Sequence, residues 1–273
     1  ALPDSTGLTA IELFEQLQTG KIKALWIACT NPAQSLPDQQ KIQQALTTCP
    51  FVVLQEAFRT TETCRFADLL LPAASWGEKE GTVTNSERRI SHVRQAIPAP
   101  GQARADWAIT VDFAQRLEQR LRPGTPSLFA FDQPQALFDE YKQLTRERDL
   151  DLSGISYAVL DQQGPQQWPF PAGARTGTPR LYGDGIFPTE SGRANFIAEP
   201  YRAAKELRDA RFPLTLNTGR LRDQWHGMSR TGTAARLFGH VSEAVLSLHP
   251  DEMRRHRLQA GDLVSLKSRR GSL

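Results

Sequence analysis

Residues 69–92 read LLLPAASWGEKEGTVTNSERRISH. An apolar run, Leu69 to Leu71, is closed by Pro72, and the segment from Gly77 to His92 then mixes acids, lysine, glycines, hydroxyls, an amide and paired arginines. The apolar run reads as a buried strand. The polar stretch has too little apolar content for a core, and its charges are too mixed for a solvated tail, so it reads as a loop leaving the strand end. In open α/β folds, loops at strand ends are where ligands sit.

Upstream, Ala24–Cys29 (ALWIAC) and Phe51–Leu54 are two more continuous apolar runs of strand length. Helical signals separate them. Thr9 and Glu12 have capping-box spacing, Leu13, Phe14 and Leu17 follow on one face, and Gly20 is a stop. A second short helix is expected to end near Thr48, and TTETCRF (60–66) reads as a helical turn. Strands apolar on both faces, alternating with helices, predict a parallel sheet with crossover helices. Downstream, Trp107, Val111, Ala114, Leu117 and Leu121 recur at helical spacing over residues 106–121.

From about Arg122 to Pro179 the pattern weakens, with a single helix expected around Gln135–Leu144. Phe129, Phe131, Phe138, Tyr141, Trp168 and Phe170 need cover, so this region wraps other structure. A new regime begins near Phe212, with short strand candidates at Leu214–Asn217, Val241–Leu248 and Leu263–Lys267. Its polar segment, Leu216–Thr231, matches the chemistry of 77–92, and two such segments suggest one large, anionic ligand held from two sides.

The 273 residues, 39% hydrophobic and 23% charged, are those of a soluble globular protein. A net charge of +3 is too small to argue for nucleic acid, and no apolar run reaches membrane-spanning length. Arg88, Arg89 and Arg94, and then Arg220, Arg222, Arg230 and Arg236, form two groups. Singly each is a solvated arginine, but beside glycines and hydroxyls the groups read equally well as phosphate recognition. Cys29, Cys49 and Cys64 lack metal-site spacing and read as small buried hydrophobes in a reducing, cytoplasmic compartment. The chain begins at Ala1 and stops just after a strand-like run, so a piece of something longer is expected.

In order, CTNPAQSLPD (29–38), the run from Val52 to Arg89, PGQARADW (100–107) and LNTGRLRDQWHGMSRTG (216–232) resemble the molybdopterin oxidoreductase family. Within it, the likeness is to the catalytic subunit of bacterial and cyanobacterial assimilatory nitrate reductases. QQWPFP (166–171) and RLYGDGIFPTESGRANF (180–196) are similar to the stretch joining the two cofactor-binding domains there. The chain resembles only the C-terminal part of such an enzyme. The N-terminal iron–sulfur cysteine motif and the region supplying a protein ligand to molybdenum are absent.

The resemblance implies an α/β fold, a Rossmann-like parallel sheet domain over residues 1–122. An insert and connecting region follows over 123–206, then the N-terminal part of a truncated double-psi-type β-barrel over 207–273. It also implies molybdenum in a bis(molybdopterin guanine dinucleotide) cofactor, with an iron–sulfur cluster in the preceding part. Asn31, Gln55, Glu56, Lys79 and Asp106, with Thr218, Gly219, Arg220, Trp225, His226 and Gly227, match cofactor-contacting positions, and no catalytic residue or metal ligand is assigned. The intact enzyme would reduce nitrate, taking electrons from a donor protein or reductase subunit, and this piece alone would be inactive. A formate dehydrogenase and a molybdenum-free scaffold subunit of the same fold are the alternatives.

The residues themselves are compatible with these assignments. Glycines permit close backbone approach, and a lysine ammonium suits a phosphate or pterin oxygen. Other readings stand beside them: Asp106 as a carboxylate favoured by a helix start, and Asn85, Glu87, Arg88 and Arg89 as either pocket residues or a salt-bridged hairpin.

Overall fold

The computed structural model describes residues 4–204 and 206–273. It divides into two compact units, Ala1–Phe196 and Ile197–Leu273.

The first unit begins with α1 (Ala10–Gln18), whose capping box between Thr9 and Glu12 forms as the sequence predicts. Three parallel strands follow, β1 (Leu25–Ala28), β2 (Val52–Glu56) and β3 (Leu69–Pro72), in the order β1-β2-β3. The β1-to-β2 connection carries α2 (Pro32–Ser35) and α3 (Gln39–Thr48), and a 3-10 turn, Glu62–Phe66, leads into β3. Leu25, Ile27, Val52 and Leu54 point to one face of the sheet, where they form a core with Phe14, Leu17, Ile42 and Leu46 from α1 and α3. Alternation along a strand sends Trp26 to the other face, where its ring meets Phe113 edge-on with centroids 4.8 Å apart. Phe113 belongs to α4 (Asp106–Leu121), so helices lie on both faces of the sheet.

The stretch that reads as a loop is a hairpin, with β4 (Gly81–Thr84) antiparallel to β5 (Arg89–Val93). The mixed charges conceal a turn signal. Asn85 Oδ1 accepts from the backbone N–H groups of Glu87, at 2.9 Å, and Arg89, at 3.0 Å, while Arg88 takes a left-handed conformation. Of the two readings given to Asn85–Arg89, the salt-bridged hairpin is the one formed, with Arg89 Nε 3.7 Å from Glu87 Oε2. The region after residue 122 contains α5 (Pro134–Gln143), close to the predicted bounds, and a second helix, α6 (Tyr157–Gln163), that periodicity misses. Seven residues are too few for a periodic signal, but Ser156 caps α6 by accepting from Val159 N–H. The short β6 (Gln166–Gln167) pairs with β5. Ile90, Phe138, Leu152, Ile155, Tyr157, Leu160 and Phe170 make a second core, so part of the aromatic set is covered as expected, while Phe129 and Tyr141 stay exposed.

Two further expectations are corrected. Leu69 and Leu70 on β3 are 44% and 37% exposed, because β3 is an outer strand of the sheet. Of the cysteines, Cys49 is buried and Cys64 partly so, but Cys29 is exposed just beyond β1.

In the second unit the three strand candidates form no ladder among the described residues. There are two 3-10 turns, Thr231–Thr233 and Ala235–Phe238, the helix α7 (Pro250–His256) and an isolated antiparallel bridge, Lys267 to Ser272. Apolar alternation makes a strand only where a neighbouring backbone satisfies its N–H and C=O groups. Among the described residues only the end of the Leu263–Lys267 candidate finds such a neighbour, Leu266 exchanging backbone hydrogen bonds with Leu273 at 2.8 Å, and Leu263 itself is fully exposed.

Candidate cofactor-binding site

The parallel strands all end at one edge of the sheet, and there the sequence-distant polar residues converge. β2 finishes on Gln55 and Glu56. Beyond β3, Ala73 forms a parallel bridge to Arg104, Ala74 N–H donates to Arg104 C=O at 2.8 Å, and α4 then starts at Asp106. A capping box between Ser75 and Glu78 shapes the 3-10 turn Trp76–Glu78, which delivers Lys79.

Three of the expected residues meet directly. Lys79 Nζ lies 2.6 Å from Asp106 Oδ2, and Gln55 Nε2 donates to Asp106 Oδ1 at 2.8 Å. Burial alone would raise the Asp106 carboxyl, but hydrogen bonds from Lys79 and Gln55, with the Lys79 charge, outweigh it and hold the group below the usual carboxylate range. An ionised carboxylate only accepts, so Gln55 must turn its NH₂ toward Asp106. Its Oε1 therefore faces away, buried and with no partner, on a residue only 3% exposed. An unsatisfied buried acceptor costs about 1–3 kcal/mol.

A cleft of about 380 Å³ opens beside this network, lined by Trp76, Lys79, Glu80, Asp106, Trp107 and Tyr141. Lys79 Nζ sits 5.2 Å from the Trp76 ring centroid, so carboxylate and indole together fix the direction of the ammonium. Its three donors exceed what Asp106 alone can take. The cleft thus offers a directed positive charge between aromatic walls, suited to a planar, oxygen-rich anion.

The other expected residues of this unit do different work. The Asn31 amide is fully engaged within the chain. Oδ1 accepts from Thr63 N–H at 3.2 Å and Thr63 Oγ1 at 2.6 Å, while Nδ2 donates to Gln34 and Glu62 at 3.0 and 2.9 Å. Asn31 is a clamp between the β1 loop and the turn before β3. Glu56 Oε1 accepts from Ala57 and Phe58 N–H groups, at 2.7 and 3.1 Å, and so folds the turn after β2. The first arginine group is structural. Arg88 donates to the carbonyls of Trp168, Thr178 and Pro179, Arg89 to that of Pro165, and Arg94 pairs with Asp161. Phosphate recognition is therefore not its arrangement here.

In the second unit Thr218, Gly219 and Arg220 are exposed in irregular backbone. Trp225 and His226 pack edge-on with ring centroids 4.3 Å apart. The turn is tied by Trp225 N–H to Thr231 Oγ1 at 3.0 Å and by Met228 N–H to Trp225 C=O at 2.8 Å, and His226 and Met228 adopt positive φ. Gly227 sits between these two left-handed residues. Gln224, beside the expected set, resembles Gln55. Its Nε2 donates to Leu237 C=O at 3.2 Å and its Oε1 is buried without a partner. Sequence reasoning passes over it, and a glutamine inside a motif of arginines gives no separate signal.

His92 is a second residue missed. Its side chain is 8% exposed, with Nδ1 2.7 Å from Asp161 and Nε2 3.2 Å from Glu80. Asp161 comes from a helix the sequence does not announce, so nothing in the chain order links the pair.

Comparison with known proteins bears on this arrangement. Residues 1–116 match the family described as Molybdopterin oxidoreductase, and residues 214–273 match the Molydopterin dinucleotide binding domain. The chain belongs to the molybdopterin oxidoreductase family. Among its relatives, a nitrate reductase of Klebsiella oxytoca is 38% identical over 99% of the chain and 31% of the relative. The assimilatory nitrate reductase catalytic subunit of Bacillus subtilis is 33% identical over 98% of the chain and 37% of the relative. An F420-dependent formate dehydrogenase subunit alpha of Methanocaldococcus jannaschii is 35% identical over 100% and 38%. The chain thus spans about a third of the length of these curated relatives.

The two matched domains indicate a molybdenum bis(molybdopterin guanine dinucleotide) cofactor. The residues present fit such a group. In the first unit Lys79 offers a directed charge, Trp76 and Trp107 line the same cleft, and Gln55 carries a buried acceptor lacking a donor. The second unit, taken by itself, has a like acceptor on Gln224, and Arg220 and Thr218 are exposed. No helix among the described residues is long and apolar enough to cross a membrane.

Proposed function

We propose that this chain is the C-terminal, cofactor-holding portion of a longer molybdenum-dependent nitrate reductase that reduces nitrate to nitrite in nitrogen assimilation. The observation that carries this reading is likeness to nitrate reductases across nearly the whole chain, at 38% identity to that of Klebsiella oxytoca. The convergence of Gln55, Lys79 and Asp106 at the strand ends supports it. Gln55, Lys79 and Asp106 hold the cofactor from the first unit, with Asn31 and Glu56 shaping the turns around them. Thr218, Gly219, Arg220, Trp225, His226 and Gly227 hold it from the second, which takes its double-psi barrel form within the longer polypeptide.

When bound, the molybdenum centre supplies the two-electron chemistry that removes an oxygen atom from nitrate. The residues of this chain do the holding. Lys79 would hold an oxygen of the dinucleotide, with Asp106 and the Trp76 ring fixing the direction of its ammonium. An iron–sulfur cluster in the preceding part of the polypeptide would supply the electron relay from a donor protein or reductase subunit in the cytoplasm.

The formate dehydrogenase relative, 35% identical over the full chain, supports a second reading in which the longer protein oxidises formate. A molybdenum-free scaffold has no physical need for the polar set of Lys79, Asp106 and the loop from Thr218 to Gly227. The test is made on the full-length protein: molybdenum and pterin content, then oxidation of a reduced dye by nitrate against dye reduction by formate. Nitrite production with molybdenum bound is the expected result. Formate oxidation instead would replace the substrate, and absence of molybdenum would leave the scaffold.

A further inference from the structure

His92 lies outside the cofactor-holding set, yet it joins the hairpin to α6 beside the cleft. Its ring packs on Tyr157, with centroids 4.1 Å apart, and is flanked by two carboxylates, Asp161 on α6 and Glu80 just before β4. The other charged and titratable groups around it are Arg94 on its own strand, which pairs with Asp161, Tyr157 beneath it, and Asp139 and Lys142 on α5, which pair with each other. Burial, with Glu80 and Asp139 nearby, pushes the Tyr157 phenol up to about 12, so the platform under the ring is uncharged. Hydrogen bonds from His92 and Arg94 hold the Asp161 carboxyl below its ordinary range. Glu80 itself forms part of the cleft wall with Lys79.

Two carboxylates on two ring nitrogens leave little freedom. A neutral imidazole has one N–H and one lone pair, and only the imidazolium donates from both nitrogens. With one proton gone, one contact becomes acceptor against acceptor. The Asp161 contact is the shorter, 2.7 against 3.2 Å, and Asp161 is anchored a second time by Arg94, so the proton remains on Nδ1 and the Glu80 contact fails.

We infer that His92 is a charge-sensitive latch, which as the imidazolium ties Glu80 into the cleft wall and as neutral imidazole keeps Asp161 and lets Glu80 go. The latch therefore closes toward acid and opens toward alkali, loosening the hairpin at Glu80–Thr84 and placing an untethered carboxylate at the mouth of the cleft. The idea does not depend on which substrate the longer protein takes.

Backbone hydrogen exchange in the full-length protein, corrected for the intrinsic effect of pH, reads the latch directly. Between about pH 6 and pH 8.5 the wild-type amides of Glu80–Thr84 should lose about tenfold in protection, while those of β1 and β2 do not change. His92→Gln should be unprotected at both pH values. Glu80→Gln replaces the carboxylate by an amide that can donate to the neutral ring, so it should stay protected at both. This surface substitution keeps the test usable if His92→Gln fails to fold. A wild type whose 80–84 protection ignores pH, or a Glu80→Gln variant that keeps the wild-type dependence, overturns the latch.

Discussion

The two units carry polar motifs of similar composition but hold them differently. In the first, Gln55, Lys79 and Asp106 hang from the end of a parallel sheet, and neighbouring strands and helix caps fix each backbone. In the second, Thr218, Gly219 and Arg220 lie exposed in irregular chain, and only the turn from Trp225 to Thr231 is internally tied. Composition announces the chemistry in both places. Geometry exists only where hydrogen-bonded strands and a core impose it, so the first unit is preorganised for a ligand and the second is not.

This contrast predicts unequal responses to mutation in the 273-residue chain. The largest should come from the first core. Leu54→Ala, at a site with no exposure, should cost about 2–5 kcal/mol in denaturant unfolding. Leu263→Ala, at a fully exposed site, should stay within about 0.5 kcal/mol. Equal effects would erase the distinction between the units.

Next comes the clamp. Asn31→Ala removes four hydrogen bonds and leaves the buried Thr63 hydroxyl proton without its acceptor, so a loss of about 1–3 kcal/mol is expected by the same measurement. Thr218→Ala, with no partner to strand, should leave the unfolding midpoint where it is. An Asn31→Ala chain as stable as wild type would remove the clamp.

A subtler effect concerns pH. The Asp106 carboxyl is lowered in the folded state, so it binds fewer protons there than when unfolded. Its stabilisation is fully present above the unfolded value, about 3.9, and is lost as pH falls through the lower folded value. Lys79→Ala should flatten that acid loss, detectable as a smaller drop in melting temperature between about pH 5 and pH 2. Arg220→Ala should not alter this pH profile at all.

Much of the first unit was legible in the chain. The capping box at Thr9, the bounds of α4 and the apolar runs of β1 and β2 follow from local propensity and periodicity. The hairpin was legible only as one of two readings of Asn85–Arg89, because Thr82, Thr84 and Arg89 alternate with residues of mixed polarity and its core partner Tyr157 lies far along the sequence. The strand candidates of the second unit failed for the complementary reason: their patterns are real, but pairing is a property of neighbours. At the site, residue types and positions were readable, whereas roles were not. Asn31 turned out to be engaged by Thr63, Gln34 and Glu62, Glu56 by the backbone that follows it, and the orphaned oxygen of Gln55 follows only from knowing which way Asp106 forces its amide.

The most direct test is cofactor occupancy of the full-length protein. Lys79→Ala and Asp106→Ala should each lower bound molybdenum and pterin by about tenfold or more, equivalent to roughly 1.4 kcal/mol of lost contact, while the far-UV circular dichroism of the sheet is retained. Normal molybdenum and pterin in both variants would contradict the assignment of this strand-end network to cofactor holding and leave it a purely structural ion pair.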